Sequence, residues 1–270
     1  MEQRIGFIGL GNMGSAILEG ILQSGNVPAS QFYVYDVNTE VTDTIKQQYD
    51  VNVCESAKEI AKQSDIVFVA VKPINFSEVS NDIQKELKKS TVVVSIVAGY
   101  NIKMIEALIG YEQKIIRVMP NTPALIDEGM SALTPNTEVT PEELNIVRTL
   151  LNSTGRTEVI PEYQMHAATG VSGSSPAFVF MFIEALADGA VKAGMPRKQA
   201  YKFAAQTVMG SAKLVLETGK HPAELKDKVC SPNGTTIDGV QALEDAGFRS
   251  AVMKAVEASV ARSKALCGEK

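Results

Sequence analysis

The chain opens on an apolar strand that runs directly into three closely spaced glycines. Residues 4–17 read RIGFIGLGNMGSAI, with Gly9, Gly11 and Gly14 in a GxGxxG arrangement. This pattern leaves little freedom to the fold. The first glycine permits a tight turn after a strand, the second lets backbone approach a pyrophosphate, and the third lets helix and strand pack closely. The helix that follows aims its free N–H groups at the phosphate. Candidate cofactor contacts are therefore Ile8, Gly9, Gly11, Asn12, Met13 and Gly14. The competing reading is a flexible glycine turn. The apolar strand before the motif and the helix after it favour the nucleotide.

The next 150 or so residues (an ordinary domain length) alternate between short β-rich runs and helical stretches. Strands are predicted over 4–8, 32–35, 66–71, 91–96, 114–119, 130–134 and 157–160, with helices over 15–23, 41–48, 56–62, 76–88 and 141–151. Runs such as IVFVAV and TVVVSIV are almost wholly apolar, as strands buried on both faces are. The alternation predicts a doubly wound parallel sheet. After Pro161 no convincing strand appears, and helices are expected over 177–193, 197–217, 236–246 and 248–266. Gly194, Gly219 and Gly247 stand near their ends, where helix-terminating glycines belong. The fold class read from this pattern is α/β: an N-terminal Rossmann-type doubly wound sheet over 1–161, then an all-helical unit over 162–270. Helices such as FVFMFIEALA are apolar over a wide face, which implies burial against a second copy of the chain, so a homo-oligomer is expected.

Composition narrows the function classes. The 270 residues carry a formal net charge of −5 with no basic patch, which argues against nucleic acid as a partner. Cys54, Cys230 and Cys267 are odd in number and widely spaced, so neither a disulfide framework nor a zinc motif is expected. His166 and His221 read as isolated, and no metal is expected. The N-terminus lacks the layout of a signal peptide, and no apolar run reads as long enough to span a membrane, so no membrane partner and a cytoplasmic location are expected.

Further candidates follow from position. Asp36 closes the predicted strand FYVY, where an acidic side chain accepts hydrogen bonds from the adenosine ribose. Val37 stands where an NADP enzyme often has arginine, yet Asn38 and Thr39 are able to bond a 2′-phosphate, so the choice between NADH and NADPH stays open. Ala70, Val71, Lys72 and Pro73 (AVKP) and Ala98 (in SIVAG) follow strand ends that line the ligand crevice of such sheets. Asn121, in RVMPNTPA, follows another strand at the same edge and offers both a donor and an acceptor. Two loops rich in small polar residues precede helices: TGVSGSSPA (169–177) and CSPNGTTIDGV (230–240). One Ser or Thr suffices for a helix cap; a cluster suits donors for a carboxylate. No GxSxG, charge-relay set or paired carboxylates stand out. A nucleotide crevice and a hydroxyl-rich pocket suffice for hydride transfer, in which the cofactor carries the chemistry.

GFIGLGNMG, AVKP, RVMPNTPA, SGSSPAFVF and DKVCSPNGTTIDGVQALE, in this order and over nearly the whole chain, resemble the pyrroline-5-carboxylate reductase family. The resemblance implies reduction of 1-pyrroline-5-carboxylate to L-proline with NADPH or NADH, the last step of proline biosynthesis. It also implies a helical C-terminal domain that interlocks in a homodimer, often within a larger ring. On the same match Thr236 hydrogen-bonds the ring nitrogen. Ser231, Asn233, Gly234, Thr235 and Ser174 hold the substrate, which lies between that helix and the nicotinamide. Two departures stand out: Asn233 where the family usually has glycine, and Ser175 where glycine is common. Asn reaches positive φ more readily than most residues, so the turn is expected to survive. A 3-hydroxyacid dehydrogenase of the hydroxyisobutyrate type shares GFIGLGNMG, but needs a lysine and paired asparagines on the first long helix of its second domain. Here Lys192 comes late and no such pair follows. A non-catalytic NAD-sensing module would keep the three glycines and would not need the SPNGTT cluster.

Overall fold

The computed structural model, which describes residues 2–269, places the strand before the glycine turn in the middle of an eight-stranded sheet. The strands are β1 Ile5–Ile8, β2 Phe32–Tyr35, β3 Asn52–Val53, β4 Ile66–Val69, β5 Val92–Ser95, β6 Lys114–Met119, β7 Gly129–Pro135 and β8 Gly155–Val159. Helices α1 Asn12–Gln23, α2 Thr39–Tyr49, α3 Ala57–Gln63, α4 Pro73–Ile83, α5 Ile102–Ile109 and α6 Pro141–Leu151 are interleaved with them. The order across the sheet is β3-β2-β1-β4-β5-β6-β7-β8, and β1 to β6 are parallel. The chain builds β2 and β3 on one side of β1, then crosses to β4 on the other. That reversal is the topological switch point, where ligands bind in open α/β sheets.

Every residue of β1, β4 and β5 is buried, which explains why IGFI, IVFV and VVVS show no polar alternation. Alternate side chains feed two cores. Phe7, Phe68, Val94 and Ile116 pack with Ile17, Leu18 and Ile21 of α1, while Val67, Val69, Val93 and Ile115 pack with Ile60, Phe76 and Ile105. Phe7 and Phe68 stack with centroids 4.6 Å apart.

The sheet departs from the all-parallel expectation at one edge. β7 runs antiparallel to β6, and β8 is parallel to β7. Only residues 120–128 join β6 to β7, and a parallel crossover needs about a dozen residues or more, so the chain must turn back. β3 is too short to show a period, and α5 and the later helix Pro222–Val229 are elements the sequence reading does not assign. The helix expected over 76–88 starts earlier, with Pro73 at its first turn, and ends at the buried Ile83.

By compactness the chain divides into Met1–Gly173 with Ser259–Lys270, and Ser174–Ala258. The remaining helices are α7 Met165–Ala168, α8 Ser175–Lys192, α9 Arg197–Thr218, α10 Pro222–Val229, α11 Thr235–Asp245 and α12 Phe248–Leu266. In the smaller unit α8 and α9 pack together, and Phe182 meets Phe248 at 5.8 Å between ring centroids. Little else is covered: Phe180, Met181, Phe203, Met209, Val252 and Met253 are all exposed.

One expectation needs correction. Glu162–Lys192 forms a helical stretch of 31 residues, and its most apolar window has a mean hydropathy of 1.3, so by length and composition it is able to cross a bilayer. The small polar residues 169–174, read as a loop, are instead a π-helical turn that joins α7 to α8 end to end. Only 11% of that window is buried within the chain. Such a face requires an apolar partner from outside.

Helix α6 shows how a local signal is tied into the sheet. Thr140 caps it, with Glu143 N–H donating to Thr140 Oγ1 (3.3 Å) and Thr140 N–H donating to Glu143 Oε2 (3.0 Å), while Lys114 of β6 reaches Glu143 Oε1 at 2.5 Å. Burial alone would raise the Glu143 carboxyl, but Lys114 and the Thr140 donors together hold it below its ordinary value. A carboxylate with a lowered folded pKa stabilises the fold above its unfolded pKa and loses that contribution as pH falls through the folded one. Glu143→Gln should therefore cost about 1 kcal/mol at neutral pH. Denaturant titrations of the two proteins should converge in acid, below the ordinary glutamate pKa.

Candidate functional site

At the switch point three glycines meet three different constraints. Gly9, at φ +95°, hydrogen-bonds Tyr35 O through its N–H (2.9 Å), and a Cβ on it would lie 2.8 Å from Ala70 O. A Cβ on Gly14 would lie 2.3 Å from Gly9 O and 3.1 Å from Ala70 Cβ, so α1 approaches the sheet more closely than any side chain allows. Gly11 differs: a Cβ there would meet nothing within 4 Å. It is the N-cap residue of α1, and no side chain among the described residues caps this helix. The first-turn N–H groups are thus donors available to an anion. The protein itself requires glycine at positions 9 and 14. At position 11 no neighbour requires it, and glycine leaves the space beside the helix N-terminus open. A cleft of about 480 Å³ adjoins this turn, lined by Leu10, Gly11, Asn12 and Ser15 among others.

Asp36 stands at the end of β2 as expected, and its carboxylate also braces the turn. Oδ2 accepts from Leu10 N–H at 2.6 Å and Oδ1 from Asn38 N–H at 2.8 Å. Ser15, which the sequence reading passed over, adds a second brace by donating from Oγ to Leu10 O at 2.8 Å. Asn38 Oδ1 caps α2 by accepting from Glu40 N–H at 3.1 Å, so its amide nitrogen is the end left to face a 2′-phosphate. Val37 and Thr39 are exposed beside it.

The strand expected through Val71 ends at Val69. Ala70 N–H donates to Ile8 O (2.8 Å), which sets Ala70 and Val71 directly beside the glycine turn. Lys72 and Pro73 begin α4 and are exposed, as is Ala98 beyond β5. Asn121 has its side chain already engaged: Oδ1 accepts from Met130 N–H (2.8 Å), and Nδ2 donates to Ser172 Oγ (3.1 Å) and Ser172 O (3.3 Å). Its amide pins the loop after β6, and its backbone carbonyl accepts from Ala124 N–H at 3.1 Å.

In the second unit the SPNGTT segment forms a closed turn that opens α11. Asn233 takes φ 59°, the left-handed conformation that its replacement of glycine required. Gly234 N–H donates to Ser231 O at 3.1 Å, and a Cβ on Gly234 would strike Ser231 Oγ at 2.4 Å. Gly234 is the N-cap residue, without a side-chain cap, and Thr235 and the half-buried Thr236 occupy the first helical turn. Ser174 closes the π-helical turn before α8 and makes no capping bond.

Folding also joins residues that the sequence keeps far apart. His166, read as isolated, meets Cys267 and Glu269 near the end of the chain. All three cysteines are free. Burial, with Glu59 close by, raises the Cys54 thiol to about 11, so this cysteine is a poor nucleophile.

A parallel sheet whose switch point holds an uncapped, glycine-lined helix N-terminus, with an acidic residue closing the second strand, defines a dinucleotide-dependent oxidoreductase of the Rossmann type. Residues 4–99 match a family described as "NADP oxidoreductase coenzyme F420-dependent", and residues 162–266 match "Pyrroline-5-carboxylate reductase dimerisation". The pyrroline-5-carboxylate reductase of Escherichia coli K12 is 52% identical, over 98% of this chain and 99% of its own. Among solved structures, a pyrroline-5-carboxylate reductase from Coxiella burnetii superposes with a TM-score of 0.94 at 30% identity, covering 100% of both chains. The Plasmodium falciparum enzyme, solved with NADP bound, gives 0.88 at 36% identity over 98% of both. The chain belongs to the pyrroline-5-carboxylate reductase family.

Two glycine variants separate packing from ligand binding. Gly14→Ala should lower stability by about 1–3 kcal/mol, since backbone must move, and should also weaken NADPH binding. Gly11→Ala should leave the melting temperature almost unchanged while NADPH affinity, read by fluorescence titration, falls at least about tenfold.

Proposed function

We infer that the protein reduces 1-pyrroline-5-carboxylate to L-proline, with NADPH or NADH as hydride donor, as the last step of proline biosynthesis. The observation that carries this reading is the Ser231–Thr236 segment. The most specific stretch of the family's sequence is here a closed turn of hydroxyl-bearing residues that leads into an uncapped helix N-terminus, which suits a small carboxylate. The dinucleotide is assigned to Ile8, Gly9, Gly11, Asn12, Met13 and Gly14 at the phosphates, Asp36 at the ribose, and Ala70, Val71, Lys72, Pro73, Ala98 and Asn121 along the crevice. The reduced nicotinamide supplies the hydride.

The chain's own residues bind and orient. Ser231, Asn233, Gly234 and Thr235 hold the carboxylate, and Ser174 adds a hydroxyl. Thr236 accepts through its hydroxyl oxygen from the protonated ring nitrogen and fixes the face of the C=N bond presented for attack. The imine arrives already protonated near neutral pH, so no strong acid is needed, and Thr236 acts by orientation. The functional division is placed after residue 161, supported by the dimerisation match that begins at residue 162. Exposed Phe180, Met181 and Phe203 suit the buried face of a homodimer, and the family resemblance adds a larger ring and a cytoplasmic location to this reading.

Loss of nicotinamide absorbance with pyrroline-5-carboxylate should be rapid, with proline as product, and the kcat/KM ratio for the two cofactors measures the choice at Asp36 and Val37. Thr236→Ala should lower kcat/KM about tenfold or more, the loss of one oriented hydrogen bond. An unchanged kcat/KM would remove Thr236 from the mechanism. Folded protein that binds NADPH but turns over no cyclic imine would overturn the reductase reading.

A further inference from the structure

The last turn of α12 and the residues after it return to the larger unit and bring three metal-ligating side chains together. One ligand atom each from His166, Cys267 and Glu269 lies within 4.8 Å of the others. His166 and Cys267 are buried, and Glu269 is partly open to solvent. The set is one nitrogen, one sulfur and one oxygen, a mixture that suits zinc with ligand distances of about 2.0–2.3 Å.

Two of the three groups are oriented from behind. His166 Nδ1 is 2.9 Å from Ser263 Oγ, and in the tautomer in which Ser263 accepts the Nδ1–H the Nε2 lone pair faces the cluster. Glu269 Oε1 receives Asn101 Nδ2 at 3.3 Å, while Oε2 lies 3.1 Å from His166 Nε2. In that tautomer Nε2 and the carboxylate oxygen are both acceptors, and a metal ion held between them satisfies both. Beneath lies the buried Arg117 of β6, ion-paired with Glu162, whose second oxygen is buried with no hydrogen-bond partner among the described residues. Burial pushes the Cys267 thiol up, and Arg117 pulls it back down.

Charge decides which cation the site suits. Arg117, Glu162 and Glu269 sum to one negative charge, and a Cys267 thiolate makes two. A divalent ion offsets that negative charge on the groups that touch the cluster, of which Arg117 and Cys267 are buried. A cleft of about 1110 Å³, lined by His166, Glu269, Lys264, Asn101 and Glu162 among others, gives the ion an entry path and room for a water as fourth ligand.

We propose that His166, Cys267 and Glu269 form a zinc site that fastens the C-terminal segment of the chain to the dinucleotide-binding unit. As the ion binds, the Cys267 S–H bond gives way to a sulfur–zinc bond and the proton leaves to solvent. The site has an open position, but its role is structural and it takes no part in hydride transfer.

The test titrates the full-length, chelator-treated protein with Co2+ and then Zn2+. One metal per chain, a cobalt–thiolate charge-transfer band that zinc abolishes, and a zinc-dependent rise in Tm are expected. Cys267→Ser should lose the band and weaken binding by about 100-fold, and Ser263→Ala should weaken it roughly 10–100-fold. Cys230→Ser should keep the band. Absence of a band in the wild-type protein at excess cobalt, or its survival in Cys267→Ser, overturns the proposal. Should Cys267→Ser fail to fold, Glu269→Gln and Ser263→Ala decide it: full-strength zinc binding in both would reduce the cluster to a plain His166–Glu269 hydrogen bond.

Discussion

The contact between α1 and the sheet at Gly14 governs much of the larger unit. Helix and strand meet there so closely that the Gly9 carbonyl occupies the place of a side chain. This approach sets the angle at which α1 leaves β1, and so directs its uncapped N-terminus across the switch point between β1 and β4. The Asp36 carboxylate, bonded to Leu10 N–H, couples the end of β2 to the same turn. Packing therefore fixes the turn and the uncapped helix start with the protein's own contacts alone.

The smaller unit follows a different logic. Its helices bury few of their own large side chains: Ala187, Ala200 and Ala204 are the buried apolar residues of α8 and α9. A single chain of this composition lacks a full core there, and the apolar faces of α8, α9 and α12 remain for a partner subunit. The match to a dimerisation family over 162–266 identifies the partner as another copy. The stretch Glu162–Lys192, which has the composition of a membrane span, lies within that dimerisation match.

Much of this was legible in the residues because the signals were local. The glycine spacing, the wholly apolar runs of β1, β4 and β5, and the glycines after α8 and α9 each dictate their own backbone. Asn233 was legible too, since a glycine-like turn left a residue tolerant of positive φ as the fitting replacement. Signals that depend on distant pairing were hidden. The reversal at β7 followed from the shortness of a connection, and β3 from a two-residue pairing with β2. Polar residues 169–174 read as a loop because composition does not distinguish a loop from a π-helical turn. His166 and Cys267 read as solitary because 100 residues separate them in the chain and only the return of α12 joins them.

The proposed reaction is transfer of a hydride from a reduced nicotinamide cofactor to the imine carbon of 1-pyrroline-5-carboxylate. The most direct measurement supplies NADPH deuterated at the transferring position of the nicotinamide, together with pyrroline-5-carboxylate, and locates the label in the product. Proline carrying one deuterium on the former imine carbon is the predicted result. Proline without deuterium, or oxidation of the cofactor with no proline formed, would contradict it.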